Sequence, residues 1–170
     1  IESAIGNERN LGYILTHLGF THLALRDPVA AQAAFQQAAI HREPLDNEAM
    51  VIDTVVGLAA AASAQRNYES AKSHVERVMA WIAGNGSDGL ELPVQTYLLC
   101  YRILRAAADS FPEARAMAAQ VLAAGYDVLQ ARANRIDNDE LRRRFLENVP
   151  FNRHLLHEWA ILEGKPPSII

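Results

Sequence analysis

Apolar residues along this chain recur at spacings of three and four rather than two. Leu11, Ile14, Leu15, Leu18 and Leu25 set the pattern near the start. Such spacing gathers side chains on one side of an α-helix, whereas strands alternate. No β-branched run with period two occurs. The pattern predicts eight helices, at about 8–26, 28–42, 47–65, 68–83, 93–108, 111–135, 139–146 and 151–163. Capping residues mark their ends. Asp27-Pro28 reads as an N-cap followed by a first-turn proline. Asp46 or Asn47, and then Asn67, suit the next two starts. Ser110 with Glu113, and Asp137 with Glu140, have the spacing of capping boxes. Pro93 and Pro150 mark two further starts, with Asn148 as the last cap.

The helices repeat in pairs. "RDPVAAQAAFQQA" (26–38) and "RNYESAKSHVERV" (66–78) align at an offset of 40 residues. Arg26 matches Arg66, Ala31 matches Ala71, Phe35 matches Val75, and Ala38 matches Val78. Upstream, Leu18-Gly19 matches Leu58-Ala59. A weaker third unit carries Ala114, Ala118 and Val121 after a helix containing Leu98 and Arg102.

This spacing resembles the tetratricopeptide repeat, in which Leu-Gly in one helix is followed by Ala, an aromatic and Ala in the next. Unit one carries Leu15, Leu18, Gly19, Ala31, Phe35 and Ala38; unit two carries Val55, Leu58, Ala59, Ala71, Val75 and Val78. His22 stands where the pattern favours Tyr, and Glu43 and Ala83 where it favours Pro. The step of 40 exceeds the usual ~34. The resemblance implies an all-α fold of antiparallel hairpins, at about 8–45, 47–84 and 93–136, stacked as a right-handed superhelix. Residues 139–163 would cap it, with Leu141 and Phe145, then Phe151, Leu155, Trp159 and Leu162, turned inward. Arg153, His154, His157 and Glu158 would then face solvent.

The C-terminal part, "CYRILRAAADSFPEARAMAAQVLAAGYDVLQARANRI" and then "LRRRFLENVPFNRHLLHEWA", is similar to helical-repeat regions of large bacterial regulators with a STAND-type ATPase module. Phe145 to Pro150 with Arg153 is the most specific string. The resemblance implies a cytoplasmic segment of a longer signalling or transcription regulator, and "IESAIGNERN" reads like the middle of a chain. The role expected is a non-catalytic interaction, sensor or scaffold module. Its partner would be a protein, a peptide or another domain of its parent, and a homo-oligomer is permitted. The alternative is a helical regulatory segment that binds a small-molecule inducer.

Composition adds limits. The 170 residues include 29 alanines, which suit closely packed helices. Net charge is −4 and the single cysteine, Cys100, excludes an internal disulfide. That charge gives no pull toward nucleic acid, and no apolar run is long enough to span a membrane.

The chemical candidates read as structural. "GNGSDG" (84–89) has the letters of a dinucleotide loop, but a helix precedes it and Pro93 delays the next one. A phosphate loop needs a strand before it and a helix start after it, so a turn is expected and no cofactor. His154, His157 and Glu158 are too few for a zinc site. Cys100 lies in an apolar helix without a base. Arg142 to Arg144 spread around a helix among Asp137, Asp139, Glu140 and Glu147, which predicts internal ion pairs.

The binding surface expected is the groove lined by the first helix of each hairpin. Its positions are Tyr13, Thr16, Phe20 and Leu23, then Asp53, Val56, Ala60 and Ser63, then Thr96, Leu99 and Ile103, with Ala106. Related grooves that grip a terminal carboxylate use Lys and Asn. Here those positions hold Thr16, Phe20, Val56, Ala60, Leu99 and Ile103, which argues against that use.

Overall fold

The computed structural model describes residues 2–45 and 47–164, with side chains from residue 9 onward, so the expected cap Asp46 lies outside the described residues. Every regular element among them is helical. These are α1 (Glu2–Ala24), α2 (Pro28–Arg42), α3 (Glu48–Ala64), α4 (Tyr68–Asn85), α5 (Pro93–Ala107), α6 (Glu113–Ala133), α7 (Asp139–Asn148) and α8 (Pro150–Leu162), with a 3-10 turn at Glu43–Leu45. Contacts gather them into two compact units, Ile1–Glu91 and Leu92–Ile170.

Side-chain caps fix several helix starts. Asp27 accepts from the Ala30 amide at 3.0 Å, Asn47 from Met50 at 3.3 Å and Asn67 from Ser70 at 3.2 Å. Other starts differ from the sequence expectation. Asn138 rather than Asp137 caps α7, accepting from the Leu141 amide at 2.9 Å. Helix α6 begins behind Pro112, which has no capping side chain, so Ser110 lies too far upstream to cap it. Val149 holds the cap position of α8, and Asn148 closes α7 instead. Asn152 takes the bridging role: its Nδ2 donates to the Phe145 carbonyl at 2.8 Å, satisfying an orphan acceptor near the end of α7.

The first unit contains one elbow twice. Arg26 and Arg66 are both left-handed, at φ 61° and 60°. Asp27 N donates to the His22 carbonyl and Asn67 N to the Ala62 carbonyl, each at 2.9 Å. That bond, from the third residue past the helix back to its last turn, defines a Schellman closure. The residue after each left-handed arginine caps the following helix. The 40-residue sequence offset is therefore also an offset between matching backbone joints.

Phe35 sets the packing of this unit. It is 0% exposed and forms one cluster with Ala31 and Ala61, flanked by Phe20, Leu23 and Leu58. Glycine makes room for it on both sides. A Cβ on Gly19 of α1 would stand 2.6 Å from the ring, and one on Gly57 of α3 would enter it. Phe20 meets Phe35 edge-on, with centroids 5.1 Å apart. Low residues of α1 meet high ones of α2, as Gly12 with Arg42 and Gly19 with Phe35. Helices α2 and α3 show the same reversed order, Arg42 with Thr54 and Gln32 with Gln65. Both pairs are therefore antiparallel.

The expected packing residues Gly19, Ala31, Phe35, Ala38, Ala59, Ala71 and Val75 are buried, and Leu58 is half-buried. Leu18 is not: it is 42% exposed, because Gly19 and Phe20 turn toward α2 and leave Leu18 on the far side. Leu11, Ile14 and Leu25 are exposed with it.

In the second unit α8 packs against both α5 and α6. Gly125 lets it close, since a Cβ there would lie 2.7 Å from Tyr97 Cβ and 3.0 Å from Leu155 Cδ1. Leu155 is fully buried, and Trp159 stacks on Tyr126 with centroids 4.7 Å apart. Arg142 ties α7 to the end of α6 through two bonds to the Ile136 carbonyl, at 3.1 and 2.8 Å. Leu141 and Leu162, expected inside, are exposed: the half-buried apolar residues of α7 are Phe145 and Leu146, and Glu163 already ends α8.

Two outcomes test this packing. Gly57→Ala should cost about 1–3 kcal/mol by overpacking, and combining it with Phe35→Leu should cost less than the two single changes added. A strictly additive denaturation cycle would refute the contact. Removing residues 147–170 should abolish cooperative melting of the second unit, because it uncovers the α5 and α6 surfaces beneath Leu155 and Trp159; an unchanged calorimetric transition would count against this.

Candidate binding surfaces

The expected groove residues do not form one open surface. Thr16, Val56, Thr96 and Ile103 are buried. Phe20, Leu23, Asp53, Ala60, Ser63 and Leu99 are half-buried, and Tyr13 and Ala106 are exposed. The reason is helix crowding: α3 packs on α1, α2 and α4, while α5 packs on α6 and α8. Little of either circumference is left for a partner. Thr16 spends its hydroxyl on the Gly12 carbonyl at 2.9 Å.

Two groove residues do converge. Tyr13 of α1 and Asp53 of α3 line a half-open hollow of about 360 Å³ in the first unit. Arg9 and Asn10 extend its α1 wall, Arg42 and Asn47 supply the opposite wall with Asp53, and Gly89 and Glu91 close one side. The closing segment is pinned by Leu90, which is buried, and by Glu91. Glu91 N donates to Asp53 Oδ2 at 3.2 Å, and its carboxylate lies 3.5 Å from His17 Nε2.

Arg42 is the unexpected member. It is 1% exposed and the largest fully buried side chain. Its Nη1 donates to the Met50 carbonyl and to Thr54 Oγ1, the latter at 3.0 Å. Its Nε is buried without a hydrogen-bond partner among the described residues. Gly12 makes the burial possible, since a Cβ there would stand 2.8 Å from the Arg42 stem. Burial lowers the guanidinium pKa, and nearby Asp53 and Glu91 oppose that shift. Burial also pushes the Asp53 carboxyl up to about 6, against the Glu91 amide bond and the Arg42 charge, which favour its ionised form. The sequence held one signal for Arg42: it continues the buried stripe Ala31, Phe35 and Ala38 by one turn. Arg9, Asn10, Asn47 and Glu91 gave no sign, because their meeting depends on the fold.

A second hollow, of about 600 Å³, lies in the second unit beside Tyr101, Arg105, Arg115, Ile161 and Leu162. Glu158, expected to face solvent, instead accepts from Tyr101 Oη at 3.0 Å and from Arg105 Nη1 at 3.3 Å. Glu158 therefore stands apart from His154 and His157 in its bonding. Burial, with the charges of Arg102 and Arg153, lowers the His154 pKa. Among the described residues no group of three or more His, Cys, Asp or Glu side chains could hold a metal ion.

Cys100 is fully buried, and burial pushes its thiol up to about 12. A thiol held protonated is a poor nucleophile. The glycines of 84–89 lie at a helix C-terminus, where α4 runs through Asn85 and Gly86 takes φ 75°. A helix end presents carbonyls, which repel phosphate. The arginines of α7 pair internally: Arg142 with Asp139, Arg143 with Glu140 and Glu147, and Arg144 with Glu140. No helix among the described residues is long and apolar enough to cross a membrane.

Set against known families, curated proteins and solved structures, the chain matches none of them.

Asp53 gives a pH test. Its folded pKa is raised, so the native state holds a proton that the unfolded chain releases, and this stabilising contribution is present at low pH. It is lost as pH rises from about 4 to about 6. Asn at this position should therefore help more at pH 7.5 than at pH 5, by on the order of 1–2 kcal/mol after discounting for partial exposure. A wild-type-minus-Asp53→Asn difference that stays flat across that range would refute it.

Proposed function

We propose that this chain is a tetratricopeptide-like repeat module that holds a protein partner, or another part of its own parent chain, in a signalling or transcription regulator. No catalysis is assigned to it. One observation carries this reading: α1 has an uncovered apolar face whose repeat counterpart on α3 is covered. Helix α2 lies on α3 through Arg42 to Met50 and Thr54, Phe35 to Gly57, and Gln32 to Gln65. Shifted back by the 40-residue repeat, those α3 positions become Asn10, Ile14, His17 and Leu25. Ile14, Leu18 and Leu25 are 59%, 42% and 72% exposed. Apolar side chains gathered on one helix face mark an interaction surface rather than ordinary scatter.

The occupant that fits is an antiparallel amphipathic helix of the α2 kind. It has one required difference. His17 stands where α3 has Gly57, so no socket exists for a residue the size of Phe35. A partner helix must carry a small residue at that point. The matching elbows at Arg26 and Arg66 support stacked hairpins, and a helix-in-groove contact is a common mode of peptide recognition.

A second reading, a regulatory segment that binds a small molecule, is favoured by the polar hollow at Tyr13, Arg42 and Asp53. Its polar groups converge from α1, α2, α3 and the closing segment at Glu91, and its volume lies at the low end of ligand sites.

The first reading is tested with a peptide of residues 28–42 in which Phe35 is replaced by Ala. A side-chain cross-link on its outer face would hold it helical, since a free 15-residue helix is marginal in water. Its addition should shift the amide signals of residues 10–25, and Ile14→Glu should remove the effect. The unmodified Phe35 peptide should bind more weakly. Absence of any shift at millimolar peptide would defeat the reading.

A further inference from the structure

We infer that the hollow of the first unit is a binding site for a small ampholyte of the free amino-acid class, a molecule carrying an ammonium and a carboxylate on neighbouring atoms. The inference rests on the small-molecule reading of this hollow and uses none of the exposed apolar residues Ile14, Leu18 and Leu25, although Asn10 belongs to both surfaces.

The walls divide by charge. Asp53 and Glu91 lie together, joined by the bond from Glu91 N to Asp53 Oδ2 at 3.2 Å. Asp53 spends one oxygen on that bond and keeps further acceptor capacity, as a carboxylate has about four lone-pair sites. Arg9 and Arg42 bring positive charge to the same hollow, and Tyr13, Asn10 and Asn47 add neutral donors and acceptors. A simple anion would meet the two carboxylates, and a simple cation would meet the two guanidinium groups. A ligand with both charges can satisfy each pair at once.

The site also has features of a built one. Arg42 is 1% exposed, has a buried Nε without a partner among the described residues, and packs its stem where a Cβ on Gly12 would stand 2.8 Å away. Burying a charge without full compensation is costly, and proteins tolerate it most readily at functional positions. Asp53 is a half-buried carboxylate whose desolvation outweighs the Glu91 amide bond and the Arg42 charge. The segment around Glu91 is held by contacts to both α1 and α3. It can therefore fix the rim of the hollow.

Charge linkage gives the site a signature. The ammonium would sit against Asp53 and favour its ionised form, so binding should release a proton near pH 6. The titratable and charged groups around Asp53 are Arg9 and Tyr13 from α1, Arg42 from α2 and Glu91 from the closing segment, with His17 of α1 beside Glu91. His17→Gln separates a contribution of the histidine from that of Asp53.

The experiment is titration of the whole chain with each of the twenty common amino acids, read by calorimetry and by amide shifts at Tyr13, Asp53 and Glu91. At least one should bind at pH 7.5 and bind about tenfold more weakly at pH 5, one unit below the Asp53 midpoint. Arg9→Gln, at an exposed position that leaves the fold alone, should weaken binding. Asp53→Asn should weaken it and also erase the pH dependence, with His17→Gln retaining that dependence. N-acetylated and carboxamide forms of the same amino acid should both fail. If acetate or ethylammonium binds as well as the amino acid, the hollow remains a ligand site but the ampholyte assignment is overturned. If no probe moves the three signals at 10 mM, both the assignment and the small-molecule reading fall. The α1 face stands or fails separately, by its own peptide test.

Discussion

One aromatic ring held between two glycines sets the geometry of the first unit. Phe35 leaves α2 and reaches α1 at Gly19 and α3 at Gly57. Three helices are fixed by one side chain, because none of them can slide without driving a Cα or a neighbouring turn into the ring. Close packing makes such a contact intolerant of volume change in either direction. The alanines nearby serve the same end. Ala31 and Ala61 are both 0% exposed, and each adds apolar surface without holding the helices apart. The second unit uses the same device at Gly125, where Tyr97 and Leu155 approach from α5 and α8.

The eight helices were legible because three kinds of local signal agree. Periodicity gave the extent of seven within about two residues but missed the first turn and a half of α1, which begins at Glu2 rather than about residue 8; Asp27, Asn47 and Asn67 gave several starts, and Pro93 and Pro150 gave others. Local signals failed where two candidates stood side by side. Asp137 and Asn138 are equally good caps by type, and only the backbone of the final loop selects Asn138. The apolar stripe of α1 was also misleading. Leu11, Ile14 and Leu18 have ideal helical spacing, yet the face that packs on α2 is Gly12, Thr16 and Gly19, read as small or polar. Periodicity shows that a helix has an apolar side; it does not say which neighbour covers it. The binding residues were less legible still. Of the groove positions, Tyr13 and Asp53 meet in a hollow, while Thr16, Val56, Thr96 and Ile103 are consumed by packing. A helix with neighbours on three sides has few residues to spare.

Charge is used differently in the two units. In α7 the arginines pair with acids three and four residues away, on the surface, where each pair contributes little. Arg42 is buried and Asp53 half-buried, and desolvation is the largest influence on each. Desolvation makes that second arrangement responsive to pH and to added charge, whereas the first is responsive mainly to salt.

The left-handed arginines at 26 and 66 also change how the repeat should be counted. The natural block is residues 27–66, from one elbow to the next, rather than a hairpin. Such a block opens with its own helix cap and ends with the left-handed residue that prepares the next cap. Copies joined end to end would reproduce every joint without a linker to invent. Lengthening by whole blocks would keep each aromatic in phase with the glycine at position 57 of its own block, with Ala59 of the preceding block standing where Gly19 does, while an insertion of a few residues inside a helix would rotate them apart. Growth of the chain by this route is quantised, and the elbow sets the quantum.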